Sequence, residues 1–297
     1  MISLIGTLPP LKGDEYYDLY LADALSKKET VQFINFKKLY PSFMYPGGDR
    51  DRSFVPRLPD NMFVETFITY YNPFSWVKAA FRAKGRIVHL QWWSMPTFPI
   101  YFVMLSLLKL RGKRVILTVH NVLPHEPAFY DKFCTRRIVK IPDVLLVHSE
   151  KNKDKLITLF KIPIEKVKVI NMGVHTYTNI ITRDEARESL NISKGDKVIL
   201  LFGNLRQYKG LKFLLDAIRG SDYKLIVAGQ QWDDTQYDFT NINLLDHRGY
   251  IPYGRAEAFF KASDIVVCPY THFDAQSGVG NIALSYGKPI VVTNVGS

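Results

Sequence analysis

Twelve short apolar runs recur along the chain, and they are rich in β-branched residues and nearly continuous rather than alternating with polar ones. Strands that are covered on both faces of a parallel sheet have this pattern, because neither face meets water. Helical periodicity lies between many of the runs, so the sequence predicts an α/β fold of repeated βαβ units. The runs are MISLIG, VQFINF, FVETFITYY, IVHLQ, VILTVH, VLLVHS and VKVIN in the first half, and KVILLFG, YKLIVAG, INLLD, DIVVCPY and PIVVT in the second.

The length of 297 residues suits two domains of ordinary size, and 47% hydrophobic residues supply a core for each. A glycine and small polar residues follow the seventh run in MGVHTYTNIITRDEARESL, and a new helix is predicted to begin near Thr182. We therefore predict a hinge at residues 173–182 between two doubly wound, Rossmann-like domains, residues 1–175 and residues 176–297.

Cysteine and hydropathy patterns limit the class of protein. Cys134 and Cys268 lie far apart with neither metal-ligand spacing nor a disulfide framework, which fits a reducing cytosol. The apolar start is short and is interrupted by two prolines, so no signal peptide is evident. Residues 92–110 approach transmembrane length but contain Pro96 and Pro99. They predict a buried or membrane-facing helix within a soluble domain.

The net charge of +11 and the pI of about 9.4 indicate anionic partners. No zinc-finger spacing or RNA-binding aromatic signature accompanies the charge, so we expect no nucleic-acid partner. Basic residues crowd residues 109–168, and a peripheral contact with an anionic membrane is one expectation. The aromatic residues just before that stretch, Trp92, Trp93 and Phe98, can serve such a contact or an acceptor, but core packing is their default role.

One loop combines glycine with basic residues, in LLFGNLRQYKGLKFLLDA. A buried strand ends at Gly203, and the helix after the loop has one apolar face, Leu211, Leu214, Leu215 and Ile218. Residues 203–209 therefore lie at the carboxyl end of a parallel strand and lead into a helix N-terminus, where anionic ligands bind. Arg206 and Lys209 would add mobile positive charge. Because the spacing is neither a Walker loop nor GxGxxG, a turn with two solvated basic residues is the alternative.

The segments in order resemble those of retaining nucleotide-sugar glycosyltransferases of family four, which have the GT-B fold. FGNLRQYKG resembles their diphosphate loop and DAQSGVGNIALSYGKPIVVTNVGS their donor-sugar motif. RVILTVHNVLPHE, LLVHSEKNKDKL and KVKVINMGV resemble the end of their acceptor domain, and TLPPLKGDEYYDLYLADAL their first loop and helix. The resemblance implies two Rossmann-like domains facing a cleft, with the acceptor domain first and the donor domain second.

The resemblance implies the donor site residue by residue. Asn204 stands where the family has an arginine after Gly203, Arg206 can supply that charge instead, and Lys209 matches the family's lysine. Asp274 and Ile282 replace two glutamates of the sugar motif, and Ile282 cannot hold ribose hydroxyls. Ser277 is predicted to cap a helix that begins at Gly278, with or without a ligand contact. The remaining implied donor contacts are Ile251, Gln276 and Val279.

The resemblance also implies an acceptor side. His120 ends the run VILTVH, where the family's histidine faces sugar and acceptor, and its neutral form can accept a hydrogen bond from a hydroxyl. His125 and Glu126 follow closely, and they either line the acceptor site or belong to an ordinary loop. Gly13 stands where the family's first loop is glycine-rich, which implies contact with acceptor or phosphate.

The resemblance implies a retaining hexosyltransferase without a cofactor, whose donor substrate is a UDP-sugar or GDP-sugar and whose acceptor is a sugar, polysaccharide or lipid-linked hydroxyl. Because no carboxylate–histidine cluster has metal-ligand spacing, we expect it to be independent of metal ions. We expect a cytoplasmic location. A peripheral membrane contact would place the protein at the inner face of the membrane. The rival readings are a nucleotide-sugar epimerase on the same fold and a non-catalytic nucleotide-sugar-binding protein. Family members continue beyond a segment such as PIVVTNVGS, so the second domain is expected to be cut short.

Overall fold

The computed structural model describes residues 1–13, 15–45, 48–93, 95–123, 130–173, 180–273 and 277–295. Contacts divide the chain into two compact units, Met1–Asn171 and Met172–Gly296. The expected boundary between residues 175 and 176 falls within residues 174–179, which are outside the described part, and it stays a prediction.

The first unit contains a parallel sheet of seven strands in the order β3-β2-β1-β4-β5-β6-β7. The strands are β1 (Ile2–Gly6), β2 (Val31–Lys38), β3 (Met62–Thr69), β4 (Ile87–Trp92), β5 (Arg114–Val119), β6 (Val144–Val147) and β7 (Val167–Val169). The helices are α1 (Glu15–Ser26), α2 (Pro73–Arg82), α3 (Phe98–Leu110), α4 (Asp131–Lys140) and α5 (Glu150–Phe160). Short 3-10 turns cover Ser42–Met44, Met95–Thr97 and Ile164–Lys166.

Helices cover both faces of this sheet, which explains the continuous apolar runs. Successive strand residues point to opposite faces. Leu4 and Phe33 pack with Leu19 of α1 on one face. Ile5 and Ile34 belong to a larger core on the other face, to which α2, α3, α4 and α5 contribute. The sheet is therefore doubly wound.

The second unit contains a parallel sheet of five strands in the order β10-β9-β8-β11-β12. The strands are β8 (Val198–Phe202), β9 (Lys224–Gly229), β10 (Asn243–Arg248), β11 (Ile265–Cys268) and β12 (Ile290–Val292). The helices are α6 (Arg183–Ser189), α7 (Leu211–Ile218), α8 (Tyr253–Ala262) and α9 (Gly278–Ser285), and a 3-10 turn covers Gln207–Lys209. Separate apolar clusters on its two faces make this sheet doubly wound as well.

The predicted α/β class is confirmed, and each of the twelve apolar runs forms a strand. The helix expected near Thr182 begins at Arg183, and Thr182 forms a capping box with Glu185. In each sheet the strand order reverses beside the first strand, between β1 and β4 in one unit and between β8 and β11 in the other. Ligands of open α/β sheets bind at the carboxyl edge beside such a reversal.

Residues 92–110 divide between two elements. Trp92 ends β4 and is wholly buried, and α3 begins at Phe98. Trp93 and Phe98 are half-buried and pack against the core, so core packing is confirmed for these aromatic side chains. No helix in the described part of the chain is long and apolar enough to cross a membrane.

Candidate functional site

The loop after β8 turns at Gly203, whose φ of +100° is in the region that favours glycine. The Gly203 amide donates to the carbonyl of Ala228 in β9 at 2.9 Å. A Cβ atom at Gly203 would lie 3.3 Å from Cγ2 of Val279 at the start of α9. The loop therefore runs close to the amino end of α9, as a phosphate-binding loop at this edge requires.

The loop ends at Gly210, which lies against the end of β11. Its φ is +72°, and a Cβ atom there would lie 1.8 Å from the carbonyl oxygen of Pro269. A side chain at this position is thus excluded by both conformation and space. The close approach brings Lys209, the preceding residue, next to Tyr270.

Lys209 is buried against aromatic rings. Its Nζ donates a hydrogen bond to the Tyr270 hydroxyl at 2.8 Å and lies 4.1 Å from the centre of that ring. Burial lowers the pKa of Lys209 to about 8, since water no longer solvates the ammonium group. The expectation that Lys209 adds mobile charge is therefore wrong, and so, for this residue, is the alternative of a solvated lysine, because the contact of Gly210 with Pro269 places it over β11.

Tyr270 connects Lys209 to the N-terminus of α9. Its hydroxyl lies 3.1 Å from the Ser277 hydroxyl, and Ser277 Oγ accepts from the amide of Gly280 at 3.2 Å. An ammonium group only donates, so the phenol accepts from Lys209, and in the contact with Ser277 either hydroxyl can be the donor. Burial raises the pKa of Tyr270 and keeps the phenol protonated. We call Lys209, Tyr270 and Ser277 the lysine relay.

The relay confirms part of the expectation for the sugar motif. Ser277 is the N-cap of α9, which begins at Gly278 as predicted. Ile282 is buried in the core of this unit, so its side chain faces away from solvent. The predicted donor contacts Asp274 and Gln276 lie outside the described residues.

The other loop positions differ in exposure. The guanidinium of Arg206 lies 5.5 Å from the ring centre of Trp232, which follows β9. Arg206 is half-buried, whereas Asn204 is exposed. Arg206 and Lys209 therefore place two positive charges in one loop, and of the two Lys209 is the more deeply buried.

Ile251 borders a cavity at the carboxyl end of β10. The cavity has a volume of about 290 Å³, near the lower limit of small-molecule pockets, about 300 Å³. It is lined by backbone and side chains of residues 246–252 together with Arg255 and Phe259. Asp246 and Arg248 form an ion pair on this wall at 2.6 Å. The cavity lies at the same edge of the sheet as the lysine relay, because all five strands are parallel.

In the first unit, His120 follows β5 and belongs to a hydrogen-bonded network. Its Nε2 lies 3.1 Å from Oε1 of Gln91, and Nε2 of Gln91 lies 3.4 Å from Nε2 of His89. The hydroxyl of Thr118 lies 2.7 Å from the same nitrogen of His89. Because an amide oxygen only accepts, Gln91 selects the tautomer of His120 that carries its proton on Nε2, and Nδ1 is the acceptor nitrogen.

A second histidine lies beside the first. His148 follows β6, and its ring centre lies 5.1 Å from that of His120. Nδ1 of His148 donates to the carbonyl of Ile170 at 2.9 Å. Tyr17 of α1 meets both imidazoles edge-on, at 4.7 and 5.4 Å. We call Tyr17, Gln91, His120 and His148 the histidine cluster.

The electrostatics of this cluster favour neutral imidazoles. Burial, reinforced by His148 and His89, holds the pKa of His120 well below its usual value of 6.5. Burial also lowers the pKa of His148. Both rings are therefore neutral near pH 7 and can accept hydrogen bonds from hydroxyl groups.

The first loop holds the remaining predicted residue. The Gly13 amide donates to Oε2 of Glu15 at 2.6 Å, and a Cβ atom at Gly13 would lie 2.9 Å from Oγ1 of Thr7. Gly13 is thus the residue that lets this loop pass over the end of β1. His125 and Glu126 lie outside the described residues.

Sequence reasoning missed Tyr270, Gln91, Tyr17 and His148. Only one of them left a usable signal: VLLVHS ends in a histidine at the same place as VILTVH does, so His148 and His120 were predictable neighbours. Tyr270 and Gln91 lie inside apolar runs, where nothing local distinguishes them from core residues.

Two family models match the chain. Residues 16–177 match the model described as Glycosyltransferase Family 4, and residues 182–297 match that of Glycosyl transferases group 1. Among curated relatives, an uncharacterized glycosyltransferase of Methanocaldococcus jannaschii, MJ1607, is 26% identical over an alignment of 162 positions that covers 50% of this chain and 41% of the relative. The D-rhamnosyltransferase WbpZ of Pseudomonas aeruginosa is 28% identical over an alignment of 144 positions that covers 45% of this chain and 36% of WbpZ.

Solved structures share the fold. Sucrose-phosphate synthase from Thermosynechococcus elongatus has a TM-score of 0.71 at 15% identity, covering 99% of this chain and 81% of that one. HepE of Anabaena in complex with UDP has a TM-score of 0.68 at 15% identity, with the same coverage. These likenesses show that the chain has two Rossmann-like domains of the GT-B type.

Proposed function

Because the chain belongs to glycosyltransferase family 4, we propose that it transfers a hexose from a nucleotide-diphosphate sugar to a hydroxyl acceptor, with retention at the anomeric carbon. The observation that carries this proposal is the lysine relay. It puts a buried cation at the carboxyl edge of the second sheet, between β8 and β11, where the strand order reverses. That is the place where an open α/β sheet binds phosphates.

A nucleoside diphosphate needs positive charge at its outer phosphate when it leaves. A buried ammonium group is effective there, because low dielectric surroundings strengthen its attraction to an anion. Lys209 has no carboxylate within ion-pair distance among the described residues. We propose that a phosphate of the donor is the anion that pairs with Lys209.

The proposed reaction uses the charges of this loop rather than a metal ion. Lys209 and Arg206 stabilise the departing diphosphate as the bond between the anomeric carbon and the phosphate oxygen breaks. The acceptor hydroxyl attacks the same face of the sugar, and its proton passes to the departing phosphate. The nucleobase would occupy the cavity beside Ile251, with Asp274, Gln276, Gly278 and Val279 proposed around the sugar and phosphate.

His120 is proposed to hold a hydroxyl group of the sugar or the acceptor. Its Nε2 proton is held by Gln91, so Nδ1 can accept from a hydroxyl. The depressed pKa keeps that nitrogen unprotonated at pH 7. Gly13 and His125 are proposed for the acceptor side of the same domain.

We expect the donor base to be uracil or guanine. HepE was solved with UDP, which supports testing UDP first. The acceptor is proposed to be a sugar, a polysaccharide or a lipid-linked hydroxyl, used in the cytoplasm or at the inner face of the membrane. Neither an epimerase nor a non-catalytic binder has a specific observation in its favour.

The direct test measures binding before turnover. Titration calorimetry with UDP, GDP and the corresponding monophosphates, with and without a chelator, identifies the base and any need for a metal ion. A panel of UDP- and GDP-hexoses with sugar and lipid-linked acceptors is then assayed for release of the diphosphate and for the anomeric configuration of the product. Failure to bind either diphosphate would overturn the proposal, and loss of binding with the chelator would overturn metal independence.

A further inference from the structure

Residues 66–125 contain no aspartate or glutamate, but they contain eight lysine and arginine residues. Both α2 and α3 lie in this stretch. Exposed faces of soluble helices normally mix both signs of charge. A surface built from this stretch therefore presents no acidic side chain of its own to repel an anion.

The outer side of α2 is apolar. Ser75, Trp76, Ala79 and Ala80 point into the core, which turns Phe74, Val77 and Phe81 outward at helical spacing. Phe74 is 84% exposed and Phe81 is 58% exposed. Aromatic side chains this exposed in a row on one helix mark a contact surface rather than ordinary solvent exposure.

The apolar and basic character continues onto the two neighbouring helices. α3 packs against α2 and exposes Phe102 and Leu110. α4 packs against α3, and its acidic residue, Asp131, is buried. The exposed side of α4 consists of one aromatic and four basic residues, Lys132, Phe133, Arg136, Arg137 and Lys140. We call the outward sides of α2, α3 and α4 the outer helix surface.

Arginine and phenylalanine side chains are paired on this surface. The guanidinium of Arg111 lies 5.1 Å from the ring centre of Phe81, and that of Arg137 lies 4.8 Å from the ring centre of Phe133. Such pairs place a cation beside an apolar ring. This arrangement suits the boundary between lipid headgroups and acyl chains, where the cation can contact phosphate and the ring can contact the acyl chains. Two other basic residues are neutralised, Arg82 by Glu65 and Lys109 by Asp143, and they add no net charge.

We propose that the outer helix surface docks on an anionic bilayer, with the exposed phenylalanines at the level of the headgroups and the basic residues against lipid phosphates. Charge complementarity selects this occupant, because the exposed charged side chains of α2, α3 and α4 are all basic, which matches a uniformly negative surface better than a protein face of mixed charge. The helices would lie along the membrane plane rather than cross it. This inference is independent of the proposed transfer reaction, since no residue of either candidate site belongs to the outer helix surface.

The test is sedimentation of the full chain with vesicles of phosphatidylcholine alone and of phosphatidylcholine mixed with phosphatidylglycerol. We expect binding to the mixed vesicles, and we expect raised salt to weaken it, because salt screens the attraction. Arg137→Gln should weaken binding about fivefold, which corresponds to the ~1 kcal/mol contributed by one basic residue at such a surface. Phe81→Ser should weaken binding by at least as much, because it removes the apolar contact.

Matched controls come from the second unit. Phe213 is 60% exposed on α7, close to the value for Phe81, and the exposed Lys212 precedes it. Phe213→Ser and Lys212→Gln should leave binding unchanged. All four changes affect exposed side chains, so circular dichroism should show folded protein in each case.

Equal sedimentation with neutral and anionic vesicles would overturn the proposal, as would losses of the same size in the control variants. Light scattering tests whether the outer helix surface instead forms a dimer interface. If the chain is a dimer that Phe81→Ser dissociates and it does not bind vesicles, the outer helix surface is a protein interface and the proposal is wrong.

Discussion

Nζ of Lys209 donates a 2.8 Å hydrogen bond to the hydroxyl of Tyr270, although the two residues are 61 positions apart. The bond joins the loop after β8 to the end of β11, and Ser277 extends it to the first turn of α9. A lysine held in this way has one orientation. Its charge is therefore positioned before a ligand arrives, which saves the entropy of ordering a flexible side chain on binding.

Tyr270→Phe should weaken the binding of a nucleoside diphosphate about two- to twelvefold. The change keeps the ring under Lys209 but removes the hydroxyl, and one hydrogen bond contributes about 0.5–1.5 kcal/mol. Titration calorimetry measures the effect. Tyr223→Phe, at an exposed tyrosine of the same unit, is the control and should bind like the wild type. If Tyr270→Phe does so too, the relay does not position the lysine.

Lys209→Met should abolish most diphosphate affinity and leave the ligand-free protein at least as stable. Charge-assisted hydrogen bonds contribute about 1.5–3 kcal/mol, so the loss should be roughly ten- to a hundredfold, and smaller for the monophosphate. Methionine fills similar space without the cost of burying a charge. Titration calorimetry tests the loss of affinity, and thermal melting of the ligand-free protein tests the stability. A melting temperature well below that of the wild type would show that Lys209 is structural.

Diphosphate affinity should fall as the pH rises above about 8. The folded pKa of Lys209 lies near 8, below its ordinary value of 10.5, so the ligand-free protein loses this proton as the pH passes 8. Binding to the anion must then take up a proton, and the logarithm of the dissociation constant should rise by up to one per pH unit. Below pH 7 this contribution should be constant. Lys209→Met should show no such dependence between pH 8 and 10.

The lowered pKa of Lys209 should also affect the stability of the ligand-free protein, which should rise with pH where the diphosphate affinity falls. Between about pH 8 and 10.5 the unfolded chain binds the Lys209 proton more fully than the folded chain does, so this residue makes the protein more stable as the pH rises through that window. The difference in unfolding free energy between wild type and Lys209→Met should therefore shift in favour of the wild type from pH 8 to 10. Denaturant titrations at the two pH values measure it. No change would contradict a lowered lysine pKa.

His120→Ala should reduce transfer by ~10²-fold or more with little effect on the melting temperature. Its neutral imidazole is held in one tautomer by Gln91 at 3.1 Å, which suits a group that accepts from a hydroxyl. Since its pKa is lowered by burial and by two neighbouring histidines, activity should be lost only when the pH falls well below 6.5. The pH dependence of kcat/KM checks this. A large fall in melting temperature with unchanged specific activity of the folded fraction would show that His120 is structural.

Local sequence was enough to predict the elements. The strands were visible because each is a nearly continuous apolar run. Helix α7 was visible because Leu211, Leu214, Leu215 and Ile218 recur at helical spacing, and the structure buries all four. The cap at Ser277 and the helix start near Thr182 were predictable, since a cap bonds to backbone within the next three residues. These features depend on a few neighbours in the chain, so a short window contains the information.

The environment of each candidate residue was decided only by the tertiary structure. Lys209 was expected to be a mobile charge, yet it is buried and held in place because Gly210 contacts Pro269 across the β8–β11 pair. Gln91 selects the tautomer of His120 because β4 and β5 are neighbours, with the two residues 29 positions apart. Strand order determines which side chains meet at the carboxyl edge, and that order follows from the packing of whole helices and sheets. The sequence alone thus determined which segments fold into strands and helices, whereas the pairing of distant strands decided the burial, the partners and the pKa of the groups that would do the chemistry.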